Sequence, residues 1–375
     1  MWPGLQRVLF VSKPIAPPFH DGTKCLVRDV ASSLSRFEPV VLTTRQALGS
    51  LPAGVRGRAA YSGAGGFTPA LADNARAALS VLGSREELWH FVFAPNPRTG
   101  LVARALRSLR RVPVVQTLAS APRHFSGLRQ LLFGDELVVQ SRATEERLVQ
   151  AASAEGLQLP PISVIPPPVP PLSPPSLELR ARARAELGVG PDEPLLLYPG
   201  DLEVSSGAEM TRRLVAPLIE RFPHAIVVFA YRQKTPAAAE RAAALQVALA
   251  GQRVRFSDRV TNMHALLAES AIVLFPVDDL WGKVDQPIVL LEALALGTPC
   301  LVLDQGPLRD VVGAMKVATL DEHVWLESIA RLLDDGELRA RVIGEGVRAA
   351  ESVYASRVVA RAYEGVYLRS IEARR

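Results

Sequence analysis

The residue types able to do chemistry concentrate first in residues 280–299, Leu-Trp-Gly-Lys-Val-Asp-Gln-Pro-Ile-Val-Leu-Leu-Glu-Ala-Leu-Ala-Leu-Gly-Thr-Pro. Pro287 suits a first helical position, Asp285 or Gln286 its cap, and Gly297 its stop. Glu292 then stands on an apolar helix among Leu290, Leu291, Ala293 and Leu294. An ionised carboxylate there needs a hydrogen-bonding partner. A merely structural glutamate is the plainer reading, but a carboxylate in such a run is seldom only that. Just before it, Lys283 is either a surface residue or a cation placed to meet an anion, with Asp285 beside it.

Further candidates lie where a strand feeds a helix. In residues 13–24, Gly22 permits close backbone approach, and Thr23 and Lys24 can meet an anion at a helix amino terminus beside Asp21. The sequence is neither a Walker A nor a GxGxxG motif, so an ordinary loop is the alternative. A second glycine-bearing turn, at Gly200, precedes another helix start, although Asp201 and Glu203 there would repel a diphosphate. Arg232 and Lys234 follow the apolar run 225–230 and are either anion-binding or solvated loop charges. His90, in the apolar run 88–93, fits a core histidine more readily than a ligand contact, while Asn96 in the next loop can reach one. Asp278-Asp279 lacks the spacing of a metal-binding pair, so no metal is expected.

The elements that must position these residues follow one rhythm. Apolar runs at 7–11, 40–44, 88–93, 113–117 and 136–140 alternate with helical patterns, and the alternation repeats at 195–198, 225–230, 254–257, 271–275 and 299–304. Helices are predicted at 206–221, 235–249 and 287–296, and from 320 onward throughout, with Tyr354, Val358, Ala362 and Val366 as one apolar row. Continuous apolar strands between helices imply parallel sheets covered on both faces, hence two doubly wound α/β domains. The prolines from Pro160 to Pro175 exclude helix and read as an extended connector. The expected division is an amino-terminal Rossmann-like domain at 1–160, a linker at 161–176, a carboxyl-terminal domain at 177–353, and a helix at 354–375 that can cross back to the first domain.

A length of 375 residues suits two such domains, and 48% hydrophobic with 22% charged residues excludes disordered, collagenous and coiled-coil classes. The net charge of +5 is unevenly divided: residues 1–170 hold 19 basic and 11 acidic residues, leaving the rest with a net negative charge. Arg98, Arg104, Arg107, Arg110 and Arg111 follow Pro97, with positions 104, 107 and 111 on one helix face. That stripe is open to two readings, a peripheral membrane contact or the commoner solvated face. No nucleic-acid motif accompanies the basic half. Cys25 and Cys300 have no metal or redox spacing, and with no signal or membrane-spanning run a cytoplasmic protein is expected, either free or peripheral at the inner membrane face.

The run Leu290-Leu291-Glu292-Ala293-Leu294-Ala295-Leu296-Gly297-Thr298-Pro299 resembles the "LLEAMA-G-PV" segment that follows an E-x7-E element in the retaining glycosyltransferases of family four. Looser matches fall in the family's order: Asp21-Gly22, residues 135–141, Ile165-Pro166, and Asp304-Gln305-Gly306-Pro307-Leu308. The resemblance covers nearly the whole chain. It implies a GT-B fold, two doubly wound Rossmann-like domains facing across a cleft, with donor on the carboxyl-terminal domain and acceptor on the other. It makes Glu292 the acceptor for ribose hydroxyls of a nucleotide-sugar donor, with Gly200, Gly306, Pro307 and Leu308 as donor-side neighbours; Arg232, Lys234 and Lys283 are candidate substitutes for the family's diphosphate cations, and Asp285 and Lys283 the candidate catalytic neighbours of sugar and phosphate. Asp21, Gly22, Thr23, Lys24, His90 and Asn96 would serve the acceptor side.

The chain also departs from the family. Val284 stands where the first E-x7-E glutamate belongs, Asp201 and Ser206 stand where Arg and Lys usually meet the diphosphate, and the usual histidine is absent from Gln116-Thr117-Leu118. The expectation is a retaining glycosyltransferase that uses a nucleotide sugar as substrate, needs no cofactor, and acts on a glycan, lipid-linked or small-molecule acceptor. The alternative is a non-catalytic GT-B-fold partner or scaffold.

Overall fold

The computed structural model describes residues 5–19, 21–63, 70–233 and 235–374. The chain divides into two compact units, one comprising Met1–Pro170, Trp281–Pro287 and Tyr354–Arg375, the other Pro171–Leu280 and Ile288–Val353. Trp281–Pro287, expected with the carboxyl-terminal domain, thus groups with the first unit.

The first unit contains β1 (Gln6–Val11), α1 (Gly22–Ser33), β2 (Phe37–Thr44), β3 (Arg56–Tyr61), α2 (Leu71–Leu82), β4 (Leu88–Phe93), α3 (Pro97–Leu109), β5 (Val114–Leu118), α4 (Leu128–Leu131), β6 (Glu136–Val139), α5 (Arg142–Ala154) and β7 (Ile162–Val164). Its seven-stranded sheet runs in the order β3-β2-β1-β4-β5-β6-β7, with every pairing parallel. Successive β1 residues point to opposite faces. Val8 and Phe10 enter a core under α1 with Val27 and Val30, whereas Leu9 and Val11 enter a second core under α2 and α3 with Trp89, Ala103 and Leu106.

The second unit contains α6 (Leu177–Glu186), β8 (Leu195–Tyr198), α7 (Gly207–Arg221), β9 (Ile226–Ala230), α8 (Pro236–Ala248), β10 (Val254–Ser257), α9 (Met263–Glu269), β11 (Ile272–Phe275), α10 (Ile288–Ala295), β12 (Cys300–Leu303), β13 (Met315–Val317), α11 (Glu322–Asp334) and α12 (Gly336–Ser352). Its six strands are ordered β10-β9-β8-β11-β12-β13, again all parallel. The strand order reverses direction beside β1 and β4 in one unit and beside β8 and β11 in the other, the places where such sheets receive ligands.

Three strands, β3, β7 and β13, go beyond the apolar runs of the sequence. β3 is the edge sequence Arg-Gly-Arg-Ala-Ala-Tyr, partly solvated and so without a continuous apolar run. β7 is the opposite edge and fits between Pro161 and Pro166, where three residues can still pair with β6. The tail is not one helix: Asp335 is extended and caps α12 through the Leu338 N–H, and α13 (Ser356–Glu372) follows a second break. The buried row of α13 is Val359, Tyr363, Val366 and Tyr367, packed with α1 residues in the first core, while Ala362 is exposed. The periodic row read from the sequence was therefore displaced, because Tyr354 precedes the helix and does not set its phase.

Candidate functional site

In the first unit, loops beyond the carboxyl ends of β1, β5 and β6 meet the segment Trp281–Pro287. Gly22 lies so close to Val284 that an added Cβ would stand 3.2 Å from its Cγ1. Ser141, after β6, donates its hydroxyl to Asp285 Oδ2 at 2.6 Å, and Asp285 N donates to Gln140 Oε1 at 3.2 Å. Gln286 Nε2 donates to the Gln140 carbonyl at 2.8 Å, and Tyr354 Oη donates to Gln286 Oε1 at 2.9 Å. All five residues are buried. Trp281, at the segment's start, lies under the Arg123 guanidinium, 4.9 Å from its ring centre. Trp281–Pro287 is thus a strap pinned by a buried polar network, and Asp285 is one of its pins.

This alters the expected role of Asp285 as a group facing sugar. Its carboxylate and backbone are engaged with the β6–α5 loop, which positions the strap. Lys283, two residues earlier, is half-buried on the same strap. Neither Asp285 nor Gln286 serves merely as a local cap, since both side chains reach residues distant in sequence.

At the start of α1, Asp21 Oδ1 accepts from the N–H groups of Thr23 at 2.9 Å and Lys24 at 3.3 Å, while Lys13 Nζ approaches Oδ2 at 3.1 Å. Burial works to raise the Asp21 carboxyl, but Lys13 and the two N–H groups more than offset it, leaving the group below its ordinary range. Burial likewise pushes the Lys24 ammonium down, partly countered by Asp21. The helix terminus expected to greet a ligand anion is therefore occupied by the chain's own carboxylate.

The second unit repeats this arrangement. Ser206 N, at the start of α7, donates at 2.9 Å to Asp278 Oδ1 from the loop after β11, the strand neighbouring β8. Glu203 accepts from Leu202 N at 3.1 Å and from Thr235 Oγ1 at 3.0 Å, and Tyr198 Oη donates to the Asp201 carbonyl at 2.8 Å. Gly200 is required by packing, because a Cβ would fall 2.5 Å from the Tyr198 ring. The carboxylates near it help burial raise the Tyr198 phenol.

Glu292 sits on α10 with a partly buried side chain, and His264 Nε2 of α9 lies 3.2 Å from its Oε1. The partner demanded by burial is thus a histidine the sequence pattern did not single out. Gly306, at φ 53°, opens a 3-10 turn spanning Gly306–Asp310 with Pro307 and buried Leu308. The element is a single short turn, with Pro307 in its first turn and extended Val311 ending it. Lys316 Nζ donates to the Leu308 and Val311 carbonyls, each at 2.6 Å, and tethers the turn. Burial brings the Lys316 ammonium down to about 8 despite nearby Asp304 and Asp310. Arg232 is exposed just past β9, and Lys234 lies outside the described residues.

Two acceptor-side candidates have structural positions. His90 is buried, with Nε2 2.7 Å from Thr117 Oγ1 and Nδ1 2.8 Å from Tyr367 Oη, so it pins α13 to the sheet. Asn96 caps α3 through the Thr99 N–H at 2.9 Å, although it is exposed. Sequence reasoning passed over His264 and Lys316, met Ser141 only as the end of the 135–141 match, and weighed Asp278 only as half of a rejected metal pair. Only Ser141 carried a local signal, a serine immediately before a helix.

Residues 193–335 match the sequence profile of the family described as Glycosyl transferases group 1. A D-inositol 3-phosphate glycosyltransferase of Nocardia farcinica is 30% identical over 179 residues, covering 45% of this chain and 39% of that protein. Its counterpart in Corynebacterium efficiens is 28% identical over 182 residues, covering 46% and 42%. The matched segment thus spans about two fifths of the length of these curated relatives. Among solved structures, Anabaena HepE in complex with UDP and glucose superposes with a TM-score of 0.73 at 15% identity, over 97% of this chain and 100% of that one. Sucrose-phosphate synthase of Thermosynechococcus elongatus gives 0.71 at 18% identity, over 98% and 100%. Residues 193–335 are thus similar to the glycosyl transferases group 1 family, within a two-domain chain of the GT-B fold that resembles family-four glycosyltransferases.

Proposed function

We propose that this chain transfers a sugar from a nucleotide-diphosphate sugar to an acceptor hydroxyl, with retention of configuration. The observation that carries this reading is Glu292, kept on an apolar helix inside the matched domain and steadied by His264. A carboxylate so held can accept hydrogen bonds from the two ribose hydroxyls of a nucleotide. The tethered turn at Gly306, Pro307 and Leu308 lies in the same unit, and Arg232 supplies a cation for the departing diphosphate. In this reading the chemistry is positioning plus stabilisation of the leaving group, with no protein nucleophile and no cofactor. The loops of the first unit around Asp21, Gly22 and Lys24, with Lys283 on the strap, serve the acceptor, which is a glycan, a lipid-linked sugar or a small molecule. UDP-glucose is the first donor to try, as Anabaena HepE has been solved with it.

Calorimetry with UDP, GDP, ADP and CDP tests the reading. One nucleotide should bind, and Glu292→Ala should weaken it at least tenfold, since a hydrogen bond to a charged group contributes about 1.5–3 kcal/mol. Absence of binding by all four would overturn the enzyme reading and leave a GT-B-fold partner protein.

A further inference from the structure

The outward faces of α2 and α3 present apolar side chains that the described residues leave exposed. Both helices pack on the same core, and their exposed sides carry Leu71 and Leu79 on one and Leu101, Val102 and Leu109 on the other. Leu71 is 87% exposed, and Leu79, Leu101 and Leu109 are each 67–68% exposed. Residues 98, 101, 102, 105, 108 and 109 follow helical spacing, so α3 has an outer face of its own and not merely a fringe of the core. Single exposed leucines are ordinary, but a group of them on neighbouring helices marks an interaction surface.

The electrostatics select the occupant. The only acidic residue in either helix is Asp73, which is buried and accepts from Ser62, so no carboxylate stands on the outer faces. The arginines are sorted by the fold. Arg104 donates to the Arg129, Gln130 and Leu132 carbonyls, Arg107 to the Phe133 carbonyl and Asp135, and Arg110 to the Leu82 and Ser84 carbonyls. The stripe at 104, 107 and 111 is thus largely a set of structural caps. Arg98 and Arg111, at the two ends of α3, remain exposed. Arg98 lies in the first turn, where the helix dipole disfavours a cation. A helix of 13 residues is about 20 Å long, enough to lie flat with its leucines at the acyl boundary and its terminal arginines among phosphates.

We propose that this face binds an anionic bilayer surface peripherally. No helix among the described residues is long and apolar enough to cross a membrane, so the contact is interfacial. The full chain should sediment with vesicles containing phosphatidylglycerol and stay in solution with pure phosphatidylcholine vesicles. The double variant Leu101→Ser/Leu109→Ser and the double variant Arg98→Glu/Arg111→Glu should each reduce vesicle binding at least tenfold. Circular dichroism and nucleotide affinity should be unchanged in both, which separates this proposal from the assignment of the donor site. Absence of sedimentation with either vesicle, or binding untouched by both variants, would overturn it. Self-association abolished by Leu101→Ser/Leu109→Ser, with no vesicle binding, would instead assign the face to a second copy of the chain.

Discussion

Under the proposed function, the Ser206 N–H that donates to Asp278 is a group a diphosphate could use, and Asp278 comes from the loop after the neighbouring strand, at the ligand end of the sheet. Asp21 occupies the corresponding position on α1. A carboxylate at a helix amino terminus satisfies the same dipole and N–H groups as a phosphate, so it competes with one. Asp278→Asn keeps an acceptor for Ser206 and removes the charge. It should tighten nucleoside-diphosphate binding about three- to tenfold, in line with a dipole interaction of roughly 0.3–1 kcal/mol plus relief of like-charge repulsion. Calorimetry giving unchanged or weaker affinity would show that Asp278 does not compete. His90 gives a second residue-level outcome. Burial pushes its imidazole down from 6.5 to about 3, so between those values the unfolded chain binds a proton that the folded chain refuses. Stability is therefore fully present above about pH 6.5 and falls as pH drops, by up to ~1.4 kcal/mol per pH unit. Urea unfolding at pH 4–7 should show this slope reduced in His90→Gln.

At the scale of elements, the strap Trp281–Pro287 is set apart from the helix α10 that follows it. Its anchors, Ser141 and Gln140, sit at the β6–α5 junction, where Ser141 also caps α5 through the Thr144 N–H. One hydroxyl thereby ties a helix start to the strap. Removing the Asp285 carboxylate would leave the buried Ser141 hydroxyl without its acceptor, at a cost of about 1–3 kcal/mol. Asp285→Ala should lower the melting temperature, whereas Asp285→Asn, which can still accept from Ser141, should retain the fold and most of the proposed transferase turnover. Loss of turnover in Asp285→Asn at unchanged melting temperature would return Asp285 to a chemical role. α13 works by similar means: Tyr367 and Tyr363 reach His90 and Thr117 from the far end of the sequence and close the first core.

At the scale of the molecule, the two units differ in charge. The first unit holds the basic surplus, but many of its arginines are committed to carbonyls and carboxylates, so the surplus is less available than its count implies. What remains exposed on α3, Arg98 and Arg111, brackets its outer leucines. The second unit gathers Asp201, Glu203 and Asp278 around Tyr198, so under the proposed function a donor diphosphate bound there would meet carboxylates first and depend on a few placed cations.

The sequence by itself determined the parallel α/β architecture, because continuous apolar strands between amphipathic helices leave few other ways to bury both faces. It also marked Glu292, whose charge conflicts with its apolar neighbours. Edge strands such as β3 and β7 were illegible because a half-solvated or proline-flanked strand lacks the apolar run that identifies buried ones. Only the tertiary structure decided which polar residues face one another. His264 beside Glu292, Asp278 at Ser206, and Ser141 under Asp285 are pairs separated by 28, 72 and 144 residues. Local propensity carries no information about such pairings, since sheet order and loop course bring the groups together. The arginines of α3 make the same point: helical spacing placed them on a face, but neighbouring carbonyls determined which remain available to a partner.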